Sequence, residues 1–186
     1  MEKHTGFASR LSAWLLQKGS DHYNQQVDSR KRKLLSNLSG RVLEIGPGTG
    51  ANIPYYPDDI SLVGLEPSPH MQAYLKENVE EAHQHMEIIT GAAESVPLAE
   101  ASMDTVVSTL VLCSVDRIDK ALSEIKRVLK PGGHFLFIEH VAAPQQSSLR
   151  RIQRWINPLW KRVADGCHTD RETWKAIKKA GFDHVD

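Results

Sequence analysis

Apolar positions along this chain recur at two spacings, one helical and one strand-like. Phe7, Leu11, Trp14 and Leu15 fall on one helical stripe, and Tyr23, Val27, Leu34 and Leu38 on a second, after a break at Gly19-Ser20. Two helices are therefore expected ahead of a short apolar run, Val42-Leu43-Glu44-Ile45, that reads as a strand. Further strands are expected over 60–65, 86–90, 105–111 and 134–140. Ser68-Pro69 should open a helix with Met71, Tyr74 and Leu75 on its buried face, because serine caps and proline fits the first turn. Asp116 should cap another, with Ile118, Leu122, Ile125 and Leu129 inward, ended by Lys130-Pro131-Gly132-Gly133. Pro54 and Pro57 keep the helix after the first strand short.

Strand and helix alternate throughout, which predicts an α/β fold with a doubly wound, mainly parallel sheet, helices on both faces and ligands at the carboxyl ends of the strands. The last third reads as helical. Ile152, Trp155, Ile156, Leu159, Trp160 and Val163 form one apolar face, and Asp170 should cap a further helix ending at Gly181. Trp155, Trp160 and Trp174 could shape an apolar substrate pocket, but aromatic residues at helical spacing are expected in the core. A sixth strand begins at 182–186, so the closing strand hairpin is expected to be incomplete, cut short or supplied by another chain. Residues 1–39 are read as lid helices and 40–186 as the ligand-binding unit of a single domain.

The richest stretch chemically is Glu44-Ile45-Gly46-Pro47-Gly48-Thr49-Gly50. Three alternate glycines behind a strand let the backbone turn sharply and present N–H groups to a nucleoside ligand. Glu66, an acid closing the second strand, sits where ribose hydroxyls are commonly bound. Gly46, Gly48 and Ala51 also satisfy a loose dinucleotide fingerprint, so a nicotinamide or flavin enzyme stays in view. Glu44 argues for a cationic ligand such as S-adenosyl-L-methionine (SAM), since a carboxylate in a low dielectric attracts a sulfonium and an ammonium and repels a pyrophosphate. It could instead be a structural acid holding neighbouring backbone N–H groups.

Composition narrows the partners. The 186 residues are 40% hydrophobic, enough for one domain with a real core. Lysine plus arginine (23) balance aspartate plus glutamate (23), and without a one-signed run no nucleic acid partner is expected. No window is apolar enough for a membrane span, and neither that nor a signal peptide is expected. The first helix, with Arg10 and Lys18 near its ends, could still touch a membrane surface peripherally. Cys113 and Cys167 show no C-x-x-C spacing and read as buried small hydrophobes in a reducing cytoplasm. His83 and His85 lack a third ligand, so no metal is expected. Oligomeric state is left open.

With Glu44, the three glycines, Glu66, Gly91-Ala92-Ala93-Glu94 and Leu129-Lys130-Pro131-Gly132-Gly133 together, the chain resembles the class I SAM-dependent methyltransferases over roughly 40–140. That resemblance implies a Rossmann-like fold in which Glu44, Gly46, Gly48 and Gly50, with Pro47 in the same turn, hold the methionine end of SAM. It places ribose on Glu66, adenine near Pro67, Ser68, Ala93 and Glu94, and the sulfonium beside Thr109 and Leu110. Thr109-Leu110-Val111-Leu112-Cys113-Ser114-Val115, Glu139-His140-Val141-Ala142-Ala143, Asp165-Gly166-Cys167 and Arg171-Glu172-Thr173-Trp174-Lys175 are similar to the thiol S-methyltransferase branch of the methyltransferase-like proteins. This implies a small, hydrophobic thiol acceptor. Those proteins begin with a membrane-anchoring helix not seen here, and Thr169-Asp170 stands where they usually carry a leucine-threonine pair. An oxygen, nitrogen or phospholipid acceptor, and a SAM-binding module without catalysis, remain alternatives.

Methyl transfer from a sulfonium needs alignment and desolvation more than acid catalysis. A thiol acceptor reacts as thiolate, so a base helps. His140, at the carboxyl end of the fifth strand, is the candidate, unless it only hydrogen-bonds backbone there. Asp165 and His168 lie in a loop that could close the substrate side, or could be a helix-capping turn.

Overall fold

The computed structural model describes residues 26–163 and 166–183. The expected helix over Phe7–Leu15, Tyr23 and Asp165 lie outside the described residues, as does most of the expected sixth strand. Five strands form one parallel sheet in the order β3-β2-β1-β4-β5: β1 (Arg41–Ile45), β2 (Ser61–Leu65), β3 (Met86–Ile89), β4 (Met103–Thr109) and β5 (Leu129–Ile138). The order reverses between β1 and β4, which creates the crevice where open α/β sheets bind ligands.

The sheet's two faces take alternate residues of each strand. Leu43, Ile45, Val63, Leu65 and Val106 pack with Leu122 and Ile125 of α3 (Ile118–Val128) and Ile177 of α5 (Thr173–Lys179). On the other face Val42, Leu62 and Val107 pack with Leu35 of α1 (26–35), and Leu75 and Val79 of α2 (Pro69–Glu81) pack against Met86 and Ile88. Glu44 belongs to this second face by parity. The doubly wound fold is the expected one.

Several boundaries differ, each for a local reason. Ser68 Oγ accepts from Met71 N–H and caps α2 as expected, but Val79 takes the buried place given to Tyr74. Between β1 and β2 there is only a 3-10 turn, Ile53–Tyr55. β4 stops at Thr109 because Leu110 turns to a φ of 60°. Asp116 does not cap α3. Glu94 Oε1 does, accepting from the N–H groups of Asp116 at 2.8 Å and Arg117 at 3.1 Å. β5 begins directly after α3, and Pro131-Gly132-Gly133 bulges out where the register jumps from Met103↔Leu129 to Thr105↔His134. Asp170 makes no cap either, since α5 starts after Glu172.

The largest departure is α4 (Ser148–Val163). Its apolar stripe faces outward, with Trp155 84% and Leu159 67% exposed. The polar side faces the body instead: Ala143 N–H donates to Gln153 Oε1, Thr169 N–H to Asn157 Oδ1, and Arg150 is buried. No described helix is long and apolar enough to cross a membrane.

Candidate active site

The glycine turn closes over the carboxyl ends of β1 and β4. Gly46 has a φ of 60°, and a Cβ there would lie 2.7 Å from Val111 Cγ2, so only glycine lets the turn approach the segment after β4. Gly48 faces the other way, with nothing within 4 Å of a Cβ built on it. Its N–H donates to Glu66 Oε2 at 3.0 Å, while Ser68 N–H donates to Oε1 at 2.9 Å. Glu66 is thereby oriented at the end of β2, beside the open side of the turn.

Glu44 is 2% exposed. Asn52 Nδ2 donates to its Oε1 at 2.7 Å and to Thr109 Oγ1 at 3.0 Å, which ties the ends of β1 and β4 together. Among the described residues, Glu44 Oε2 has no hydrogen-bond partner, and neither has the nearby Tyr56 hydroxyl. Burial pushes the Glu44 carboxyl up to about 7, against the opposing pull of Asn52, Tyr56 and the Lys31 charge. Lys31, on α1, is itself buried and donates to Ala51 O at 3.3 Å; burial lowers its pKa while Glu44 acts to raise it. A buried acceptor atom left unfilled is costly, and a ligand N–H⁺ placed there would recover that cost.

The exit of β4 is held by Glu139. Its Oε1 accepts from Ser108 Oγ at 2.7 Å, Val111 N–H at 3.1 Å and Leu112 N–H at 3.0 Å. Those bonds, with Leu110 N–H donating to Ile138 O at 2.8 Å, keep Leu110 left-handed. The conformation costs a non-glycine residue about 1–2 kcal/mol, and such strain concentrates at functional sites.

Beyond this turn, Cys113 Sγ and Cys167 Sγ lie 3.3 Å apart, and His140 Nδ1 lies 3.9 Å from Cys167 Sγ. The hydrogen bond between the sulfurs, and then burial, push the Cys113 thiol up. The same bond, and then His140, pull Cys167 down towards thiolate, and Cys167 in turn raises His140. His168 donates its main-chain N–H to Cys113 O at 2.9 Å, and its imidazole is lowered by burial and by Arg171 and Lys161. Arg171 Nη1 donates to Leu112 O at 2.7 Å and Val115 O at 2.6 Å. The loop from Gly166 to Glu172 is thus stitched to the end of β4.

A family model described as a methyltransferase domain matches residues 43–137. Over 172 residues the chain is 43% identical to thiol S-methyltransferase TMT1B of Rattus norvegicus, covering 87% of this chain and 70% of that protein. The chain belongs to the class I SAM-dependent methyltransferases. This methyltransferase is also 40% identical over 172 residues to thiol S-methyltransferase TMT1A of Homo sapiens, covering 86% of it and 70% of the relative. In fold it is similar to the YcgJ protein of Bacillus subtilis, with a TM-score of 0.67 at 23% identity, covering 86% and 67% of the two chains. The dinucleotide reading of the glycine turn falls with this membership, and SAM is the cofactor.

The residues of the methyltransferase fit that cofactor on two observations. Glu44 Oε2 is a buried acceptor without a donor, as an ammonium requires, and Gly48 leaves clear the space beside Glu66. The structure brings Glu44, Gly46, Pro47, Gly48, Gly50, Glu66, Pro67, Ser68, Thr109 and Leu110 to one end of the sheet. Ala93 is buried in the core on the α3 side, and the Glu94 carboxylate is engaged in capping α3.

Sequence reasoning missed Lys31, Asn52, Tyr56 and Glu139. Only Glu139 carried a signal, as an acid at a strand end. Cys113 and Cys167 are buried, as expected, and the structure brings them together. With His140 they place donor atoms within 4.8 Å of one another, from segments too far apart in the chain for spacing to reveal.

Proposed function

We propose that this methyltransferase moves the methyl group of SAM to the sulfur of a small, hydrophobic thiol. The observation that carries the reading is the 43% identity to a thiol S-methyltransferase over 87% of this chain. Bound SAM supplies an electrophilic methyl on a sulfonium. The residues of the chain do the rest. Glu44 accepts from the ammonium at its unfilled Oε2, and Gly46, Pro47, Gly48 and Gly50 cradle the methionine end. Glu66 accepts from the ribose hydroxyls. Pro67 and Ser68 line the adenine side, where Ala93 backs them from the core and Glu94 acts by fixing the start of α3. Thr109 and Leu110 border the sulfonium, with Asn52 and Glu139 holding them in place.

Leu34 and Leu35 of α1 meet Leu136 and Ile138 of β5 beside Thr109, around an apolar crevice no larger than a water molecule, so α1 covers this side of the sheet. This supports α1 as part of a lid within residues 1–39 over the SAM-binding unit 40–186. His140, with its pKa raised beside Cys167, stands where a thiol proton must leave, and His168 belongs to the loop beside it; Asp165, three residues earlier in the sequence, is proposed to act on the same side. Balanced charge supports a small-molecule partner and no nucleic acid, and two free thiols fit the cytoplasm.

The test is calorimetric titration with SAM and S-adenosylhomocysteine, followed by a methyl-transfer assay on butanethiol, butylamine, butanol and phosphatidylethanolamine. Turnover of the thiol in preference to the others supports the reading. Turnover of another acceptor alone, or cofactor binding with no turnover, overturns it.

A further inference from the structure

The proposed thiol chemistry leaves one cluster unexplained, and it has the composition of a metal centre. Cys113 follows β4, His140 follows β5 and Cys167 lies in the loop before α5, yet their ligand atoms all fall within 4.8 Å of one another. A tetrahedral zinc with Zn–S of about 2.3 Å and Zn–N of about 2.0–2.1 Å sets its ligand atoms roughly 3.4–3.8 Å apart. The sulfurs lie 3.3 Å apart and Cys167 Sγ lies 3.9 Å from His140 Nδ1, each close to that range, with all three ligand atoms within 4.8 Å. A thiol pair held only by packing has no need of an imidazole nitrogen turned to the sulfur.

Each ligand is positioned by its own backbone contacts. Cys113 O accepts from His168 N–H at 2.9 Å, and Arg171 Nη1 fixes the flanking carbonyls of Leu112 and Val115. Ala142 N–H donates to Arg171 O at 3.0 Å, and Thr173 Oγ1 to His140 O at 3.4 Å, so the His140 segment is tied to the Cys167 loop. Metal sites are held in this way, by contacts one step out from the ligands.

We propose that Cys113, Cys167 and His140 Nδ1 bind a zinc ion, and that its fourth position takes the acceptor thiol as thiolate. Two thiolates neutralise Zn²⁺, and soft sulfur donors select it over magnesium or calcium. Three protein ligands leave one position open, the pattern of zinc sites that handle a substrate. The open position lies near the methyl donor. Cys113 Sγ is 3.3 Å from Leu110 O, and Val111 packs on Gly46 of the glycine turn.

The fourth-ligand role rests on the thiol reading above; the metal site does not. On binding zinc the acceptor S–H loses its proton to solvent, so His140 acts as a zinc ligand and not as the base. The thiolate lone pair then forms the new S–C bond while the sulfonium S–CH₃ bond breaks and its electron pair stays on S-adenosylhomocysteine. The net change is RSH + SAM⁺ → RSCH₃ + S-adenosylhomocysteine + H⁺.

The test is elemental analysis of the full chain purified under reductant without chelator, beside Cys167→Ser and His140→Ala, with calorimetric SAM titration of each. Cobalt(II) replacement provides a second readout through thiolate-to-metal charge-transfer absorption. The expected result is about one zinc per chain. Both variants should lose it, keep SAM binding, and show a KM for butanethiol raised roughly tenfold or more. Protein that holds no zinc even after dialysis against zinc, or that proves about 2 Da lighter because the two cysteines have joined as a disulfide, overturns the site. Stoichiometric zinc without thiol turnover upholds the site and overturns the thiol acceptor. Zinc-free wild-type protein that turns over butanethiol with the KM of the zinc-loaded protein does the reverse.

Discussion

Asn52 donates from a single amide nitrogen to Glu44 at 2.7 Å and to Thr109 at 3.0 Å, joining the ends of β1 and β4 across the point where the strand order reverses. Asn52 and Glu44 are both 2% exposed. Removing the amide leaves a buried carboxylate with neither oxygen paired to it. Asn52→Ala should therefore destabilise the fold by about 1–3 kcal/mol and weaken SAM binding together. Urea unfolding and calorimetry check this; a loss of affinity without loss of stability would put Asn52 in direct contact with the ligand instead.

The raised pKa of Glu44 makes a signed prediction about pH. Its carboxyl titrates near 7 in the fold, against a reference of 4.5, because burial disfavours the anion. Its contribution to stability is fully present below pH 4.5 and is lost as pH rises through about 7. Wild type should lose stability relative to Glu44→Gln over that window. SAM affinity should move the other way, rising with pH through about 7 as the anion forms. It should fall again above roughly 8 as the ligand ammonium deprotonates. A Glu44→Gln profile that keeps the rising limb would remove Glu44 from cofactor recognition.

Gly46 is constrained twice, by its positive φ and by Val111. Gly46→Ala incurs about 1–2 kcal/mol for the left-handed conformation. Overpacking against Val111 adds about 1–3 kcal/mol. Adding Val111→Ala should relieve only the second part. Melting temperatures of the single and double variants distinguish the two, and full rescue would mean that φ contributes nothing.

Glu94 serves the fold through α3. Glu94→Ala removes the acceptor for two N–H groups at the helix start and should lower stability by about 1 kcal/mol, the usual cost of a lost cap. SAM affinity should change less than in Glu44→Ala. The opposite ranking would make Glu94 a direct adenine ligand.

The stripe on α4 lies outside the core. Trp155→Asp, at a side chain 84% exposed, should leave stability within about 0.5 kcal/mol of wild type. Leu122→Ala, in the buried cluster that packs α3 on the sheet, should cost about 2–5 kcal/mol. Chemical denaturation of the two variants measures the contrast.

Local pattern was a good guide to the centre of the sheet and a poor one to its connections. The runs that became β1 and β2 are apolar on both faces, as central parallel strands must be, and the glycine turn announces itself by composition. The starts of α3 and α5 were misread because Glu94 reaches α3 from a different segment and α5 begins only after Glu172, beyond Asp170. The α4 stripe was misread because periodicity reports that a helix is amphipathic and not which side meets the protein. Here Gln153, Asn157 and Arg150 supply the inner contacts.

The sequence by itself determined the strand-helix alternation, the glycine turn, Glu44 and Glu66, because each depends on residues close together in the chain. Only the tertiary structure decided that Lys31 and Asn52 would join Glu44 in one buried group, or that Cys113, His140 and Cys167 would meet. Those groupings follow from which strand ends lie side by side and which loops are bonded to them. No local spacing encodes that adjacency, because it is set by pairing across the sheet between segments tens of residues apart.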